Sequence, residues 1–216
     1  MTAPARPFVP ALAFEALTPL YDAVVAATMR ERAFRRRLVA LLDLRPGQRV
    51  LDVGCGTGTF AIMLAAAAPG AAVVGVDVDP RILARARDKA ARAGAAVEWV
   101  LGSALDLPFP AASFDRVTSS LMLHHLTTPE KRTALASIRR VLRPGGALHV
   151  ADFGRPHTAY TRVAAALFRH FDGPERTAAN LEGRLPALMR EAGFDDVTEP
   201  EHWTTMFGTL SFVRAR

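Results

Sequence analysis

Two spacings of apolar residues alternate along most of the chain. Short β-branched runs carry apolar residues at neighbouring positions, as strands buried on both faces require: "RVLDV" at 49–53, "AAVVGVDV" at 71–78, "AVEWVLGS" at 96–103, "SFDRVTSSLML" at 113–123 and "PGGALHVADF" at 144–153. Between them "TFAIMLAAAA", "PRILARARDKAARAG" and "PEKRTALASIRRVL" have helical spacing, and the second opens on proline and closes on glycine, the usual punctuation of a helix. Strands alternating with helices of this length predict a parallel sheet covered on both faces, an α/β fold. The ends depart from the pattern. Ala11 to Asp43 reads as a helical amino-terminal segment, which assigns 1–43 to a cap or lid and 44–216 to the main domain. Arg155 to Gly183 is a helical insertion before the last helix, "LPALMREAGF". The segment "DDVTEPEHWTTMFGTLSFVRAR" predicts a closing hairpin on the sheet edge.

Composition changes this picture little. Half of the 216 residues are apolar, enough for a substantial core in one domain. The formal charge of +6 is nearly all arginine, with Lys89 and Lys131 the only lysines, so we read it as compositional bias rather than as the mark of an anionic partner. The cluster "RERAFRRR", Arg30 to Arg37, reads as a solvated helix face. Cys55 is the only cysteine, which excludes a disulfide framework and a cysteine-based metal cluster, and His149, His157, His170 and His202 are too scattered for a metal site. No apolar run is long enough to span a bilayer and "MTAPARPFVP" lacks the layout of a secretory signal, so the expected compartment is the cytoplasm.

Candidate chemistry sits at strand ends. Gly54, Gly56 and Gly58 follow the first strand as G-x-G-x-G, where open α/β sheets bind ligands and a helix amino terminus points into the gap. The spacing is not the G-x-G-x-x-G of dinucleotide sites, and the Gly-Lys-Ser/Thr of a P-loop is absent. Asp77 ends the second strand, where a carboxylate can accept both hydroxyls of a ribose. A tight turn alone would explain isolated glycines; Asp77 at the neighbouring strand end argues for a ligand.

"VLDVGCGTG", "VVGVDVD", "GSALDLPFPAASFDRVTSSLMLHHL" and "RVLRPGG", in that order over Leu41 to Phe153, resemble the class I S-adenosylmethionine-dependent methyltransferases, in particular the small-molecule group that includes the ubiquinone and menaquinone biosynthesis C-methyltransferases. The resemblance implies a Rossmann-like, mostly parallel seven-stranded sheet with a carboxyl-terminal antiparallel hairpin, and S-adenosylmethionine as cofactor, leaving as S-adenosylhomocysteine. It implies that Asp52 orients the methionine amino group and that Gly54, Cys55, Gly56, Thr57 and Gly58 lie against the methionyl and ribose portions. Asp77 with Val78 would hold the ribose, Ser103 with Ala104 would meet the adenine edge, and Ser120 would lie near the methyl group. Ser103 departs from the family, which often has an acidic residue there.

Since the sulfonium already makes the methyl group electrophilic, the protein must mainly align a nucleophile, exclude water and remove a proton where the nucleophile carries one. His125 and His124 in "LMLHHLT" are the candidate bases, His125 being slightly favoured because its spacing to "RPGG" resembles that of a base histidine in some phosphoethanolamine methyltransferases, and resemblance to related enzymes makes Tyr21 in "LTPLYD" a candidate lid residue. Packing roles for all three stay open. The acceptor reads as a small or lipid-like molecule. The place after the fourth strand lacks the Asn/Asp-Pro-Pro-aromatic motif of base-amino methyltransferases, which argues against nucleic acid, and peripheral contact with a membrane stays open. The quinone enzymes typically have Arg-Asn where this chain has His124 and His125. "VAAALF", 163–168, could line an apolar pocket or pack against the core, and packing is the favoured reading. Two alternatives stand beside methyl transfer: a cofactor-binding protein without turnover, and a nicotinamide-dependent oxidoreductase.

Overall fold

The computed structural model describes residues 31–216. Tyr21 and most of the expected lid lie outside them. The chain runs α1 (Glu31–Leu42), β1 (Arg49–Val53), α2 (Thr59–Ala67), β2 (Ala72–Asp77), α3 (Pro80–Ala93), β3 (Glu98–Leu101), β4 (Phe114–Ser120), a 3-10 turn (Leu123–His125), α4 (Thr128–Val141), β5 (Leu142–Phe153), α5 (Ala159–Asp172), α6 (Pro174–Leu181), α7 (Leu185–Glu191), β6 (Val197–Thr205) and β7 (Gly208–Ala215). The strands form one seven-stranded sheet in the order β3-β2-β1-β4-β5-β7-β6, parallel except for β7, which is antiparallel to both neighbours. The order reverses between β1 and β4, so the loops after these strands diverge and leave a crevice at their carboxyl ends.

Alternation along the strands divides the core in two. Leu51, Val53, Val117, Leu148 and Val150 face one side and pack with α4 and α7, while Val50 and Ala151 face the other, where α2 seats Phe60 and Leu64 and α1 seats Phe34, Leu38 and Leu42. Helix α3 shows how local chemistry fixes an element. Asp79 accepts hydrogen bonds from the Arg81 and Ile82 backbone N–H groups, Pro80 occupies the first turn, and Gly94 closes the helix in the left-handed conformation.

Two expectations need correction. Strand β5 begins at Leu142, ahead of the glycines expected to form a turn, because Leu142 already pairs with Phe114; the register then shifts before Arg116 meets Ala147, a bulge that absorbs the intervening residues. The segment 163–168 does not pack as a whole. Ala165 and Phe168 turn inward on α5, but Val163 and Leu167 remain exposed, because the helix buries only one narrow seam.

Candidate active site

The three glycines of the first loop all have positive φ, yet for separate steric reasons. A side chain at Gly54 would strike Met122 (2.3 Å) and one at Gly58 would strike Trp99 (2.3 Å), whereas the space above Gly56 is open. Gly54 and Gly58 therefore let the loop lie against β3 and the segment after β4, and Gly56 offers bare backbone to the crevice. Asp77 holds this loop from the next strand end. Its Oδ2 accepts the Gly56 N–H (2.9 Å) and its Oδ1 the Asp79 N–H (3.1 Å), which uses one acceptor direction on each oxygen and leaves others for a diol. Cys55 is buried against Gly75, its thiol pushed up in pKa by burial and by the nearby Asp52 and Asp77 carboxylates, so it serves the loop and not chemistry.

Asp52 is the anomaly of this half. It is 1% exposed, on the α1 face of β1, and neither carboxylate oxygen has a hydrogen-bond partner. Burial raises its pKa to about 7; Arg35 opposes that rise and Asp77 adds to it. A buried carboxylate without a partner is costly unless a cation or donor joins it. The amino group of an amino-acid moiety lying along the glycine loop supplies one, so the residues present fit S-adenosylmethionine. Val78 is half-exposed beside Asp77 and offers an apolar surface at the crevice rim. Ser103 accepts the Leu105 N–H with its own Oγ (3.2 Å), so part of its capacity shapes its own turn, and Ala104 packs on the core next to it. Thr57 lies within the loop, and Ser120 ends β4 opposite Ala151.

The other half of the crevice is made of side chains. Leu121 leaves β4 with φ +53°, a sparsely populated conformation for a leucine, and its N–H donates to Ala151 O, turning the chain sharply into the 3-10 turn. The turn places His124, 4% exposed, on the buried Asp152 near the end of β5. His124 Nδ1 lies 2.7 Å from Asp152 Oδ1, and the His124 backbone N–H reaches Oδ2 (3.3 Å). Burial alone would raise the pKa of Asp152; His124 and the Phe153 N–H (2.7 Å) outweigh it and hold the carboxyl below its ordinary range. An ionised carboxylate only accepts, so His124 Nδ1 carries the proton and, in the neutral ring, Nε2 keeps the lone pair. Phe153 and Phe168 pack against the His124 ring, at 5.0 and 5.5 Å between centroids. The His125 ring lies tilted against it at 4.0 Å between centroids, and lost hydration and the neighbouring His124 push its pKa down.

The contact with Asp152 thus falls to His124, the less favoured of the two candidate histidines. Asp152 itself was not singled out in the sequence, although an acidic residue at a strand's carboxyl end is the signal that picked out Asp77. Leu121 and Met122 were missed as well, and Phe168 lay in the 163–168 segment read chiefly as core packing. Among the described residues there is no group of three or more metal-ligating side chains and no helix long and apolar enough to cross a membrane.

A family model described as a methyltransferase domain matches residues 50–146. An uncharacterised methyltransferase of Synechocystis is 33% identical over 186 residues, covering 86% of this chain and 84% of that one. The demethylmenaquinone methyltransferase of Thermus thermophilus is 41% identical over 145 residues, 66% of this chain and 65% of its own length. In structure, phosphoethanolamine N-methyltransferase 2 of Haemonchus contortus, solved with S-adenosyl-L-methionine, superposes with a TM-score of 0.66 at 26% identity, covering 80% of this chain and 39% of that one.

Proposed function

We propose, for a chain that belongs to the class I S-adenosylmethionine-dependent methyltransferases, that its acceptor is a small or lipid-like molecule bearing an ionisable hydroxyl and that His124, oriented by Asp152, removes the hydroxyl proton. The protein is an enzyme and S-adenosylmethionine is its cofactor. That membership decides among the functions the glycine spacing left open. The observation that carries the proposal is the His124–Asp152 pair: a buried carboxylate on Nδ1 fixes the ring and its tautomer, and it stabilises the imidazolium that forms when Nε2 takes a proton.

When bound, the cofactor supplies an electrophilic methyl group on a sulfonium. Asp52 would hold its amino group, the backbone at Gly56 would lie against it and Asp77 would take the ribose hydroxyls. His124 then contributes basicity, while Phe153 and Phe168 keep water from its ring. The small-molecule class draws support from the Thermus relative, whose name is that of a demethylmenaquinone methyltransferase. The lone cysteine and the absence of a long apolar run support a cytoplasmic setting.

The test is to incubate the protein with methyl-labelled S-adenosylmethionine and cell extract, then divide label among organic, aqueous small-molecule and acid-precipitable fractions. Label in an extractable fraction that is lost in Asp77→Ala and is removed by hydroxyl-ether cleavage is the expected result. Label confined to the precipitate would overturn the small-molecule reading.

A further inference from the structure

Lys131 is one of two lysines in a chain with 27 basic residues, and its side chain is fully buried. It stands in the first turn of α4. Its Nζ donates to Leu126 O, at the end of the His124–His125 turn, and to Arg176 O (2.6 Å) in α6 of the insertion. Among the described residues no salt bridge to a carboxylate holds it, though Asp152 of β5 and Glu130 of α4 lie close enough to favour its charged form. Among the described residues, His125 on the 3-10 turn lies within electrostatic reach of Lys131 and of the Arg176 side chain on α6, and His124 and His125 both act on Asp152. An ammonium spent on two carbonyls is an expensive way to fill space, since an apolar side chain of the same length would avoid the desolvation cost.

What the ammonium joins gives the reason. On one side is the turn that carries His124; on the other is the insertion, whose Asn180 Nδ2 donates to Phe153 O (3.0 Å) directly after Asp152. Phe168 of the same insertion closes on the His124 ring. The insertion is therefore fastened on both flanks of the His124–Asp152 pair, through Lys131 at the histidine end and through Asn180 at the aspartate end.

We infer that Lys131 is a positioning residue, its ammonium clamping the insertion helix α6 to the carbonyl end of the His124 turn so that His124 stays seated on Asp152. This rests on the reading of that pair as the proton-removing unit. Three donors on a compact head can reach two carbonyls from different elements at once, and a planar guanidinium would need more room, which accounts for lysine here in a chain that otherwise uses arginine. With its pKa pushed down to about 8 by burial, against the pull of Asp152 and Glu130, the clamp is charged at neutral pH and weakens in alkali.

The test uses the full chain saturated with S-adenosylhomocysteine, with two readouts. The first is the Nδ1–H proton of His124, followed by NMR as an exchange-protected downfield resonance; the second is the label-transfer rate with extract. In Lys131→Met the resonance should broaden into exchange and the rate fall about tenfold or more, while S-adenosylhomocysteine affinity stays within about twofold. Lys131→Arg, which keeps the charge, should restore part of both. An unprotected resonance in the wild type, or a Lys131→Met protein that keeps both resonance and rate, overturns the inference. So does a loss of rate, cofactor affinity and thermal stability in one proportion, since that marks a merely structural role. Should Lys131→Met not fold, hydrogen exchange of the wild type between pH 7 and 10 decides: the 123–126 turn and α6 should loosen together as the pH passes about 8, and unchanged protection counts against the clamp. His124→Ala in the same assay separates the two ideas. If it transfers label normally, the base assignment fails; if it fails to transfer while Lys131→Met succeeds, only the clamp does.

Discussion

The two halves of the crevice are built by opposite means. On the β1–β2 side the working surface is backbone: a loop with three left-handed glycines, an aspartate that accepts the loop's Gly56 N–H, and one unpartnered carboxylate. On the β4–β5 side it is side chain on side chain, with His124, Asp152, Phe168 and Lys131 arriving from a turn, a strand and two helices. On the proposed reading the first half holds a cofactor whose shape does not change, which a largely contiguous stretch can encode. The second would suit a particular acceptor, and long-range contacts allow it to be rebuilt without disturbing the first.

The most severe way to break this contrast is at Asp152. In Asp152→Asn the amide can donate to Nδ1 and so favour the other tautomer, and label transfer should fall by about 10²–10⁴-fold while S-adenosylhomocysteine binding changes little. Equal loss of both would merge the two halves into one unit. Next come the glycines, which should separate within a single loop. Gly58→Ala drives a methyl group into Trp99 at a left-handed position and should cost about 2–4 kcal/mol of stability in denaturant unfolding. Gly56→Ala meets open space and should cost only the strain of the left-handed backbone, about 1–2 kcal/mol, yet weaken S-adenosylhomocysteine binding measured by calorimetry.

The remaining effect belongs to Asp52. Its folded pKa of about 7 lies above the ordinary 3.8, so the folded state binds the extra proton and the stability of the unliganded protein should decline as pH rises from about 4 to 7, then level off. Asp52→Asn should remove that decline and stabilise the unliganded protein by about 1–3 kcal/mol at pH 8 in thermal unfolding. A cationic amino group reverses the preference. Binding of S-adenosylhomocysteine to the wild type should release a proton near neutral pH, visible as a buffer-dependent heat, and the variant should release none.

Much of the first half was legible because its causes are local. Strand and helix periods and the Pro80 and Gly94 boundaries stand in the sequence within a few residues of what they do, and Asp77, though it reaches Gly56 from the neighbouring strand, is marked by its place at a strand end. The reason for Gly58 was not legible, because Trp99 is far along the chain and meets it only once β3 has joined the sheet. In the second half, "LHH" announced imidazole, but the choice between the two rings depended on which one Asp152 reaches, and that follows from the Leu121 reversal, for which leucine gives no cue. Lys131 did leave a trace: one of two lysines among arginines, in an otherwise amphipathic helix, at a position that turned out to be core.

Strand β7 sits between β5 and β6 although it is the last of the seven to be synthesised. Until it arrives, β5 has an open edge along the stretch from Leu148 to Phe153, and β6, which pairs only with β7, has no place in the sheet. On a ribosome the glycine loop and Asp77 are therefore already in the chain while the strand bearing Asp152 still lacks its partner on one side, so the two halves of the crevice become complete at different points of synthesis.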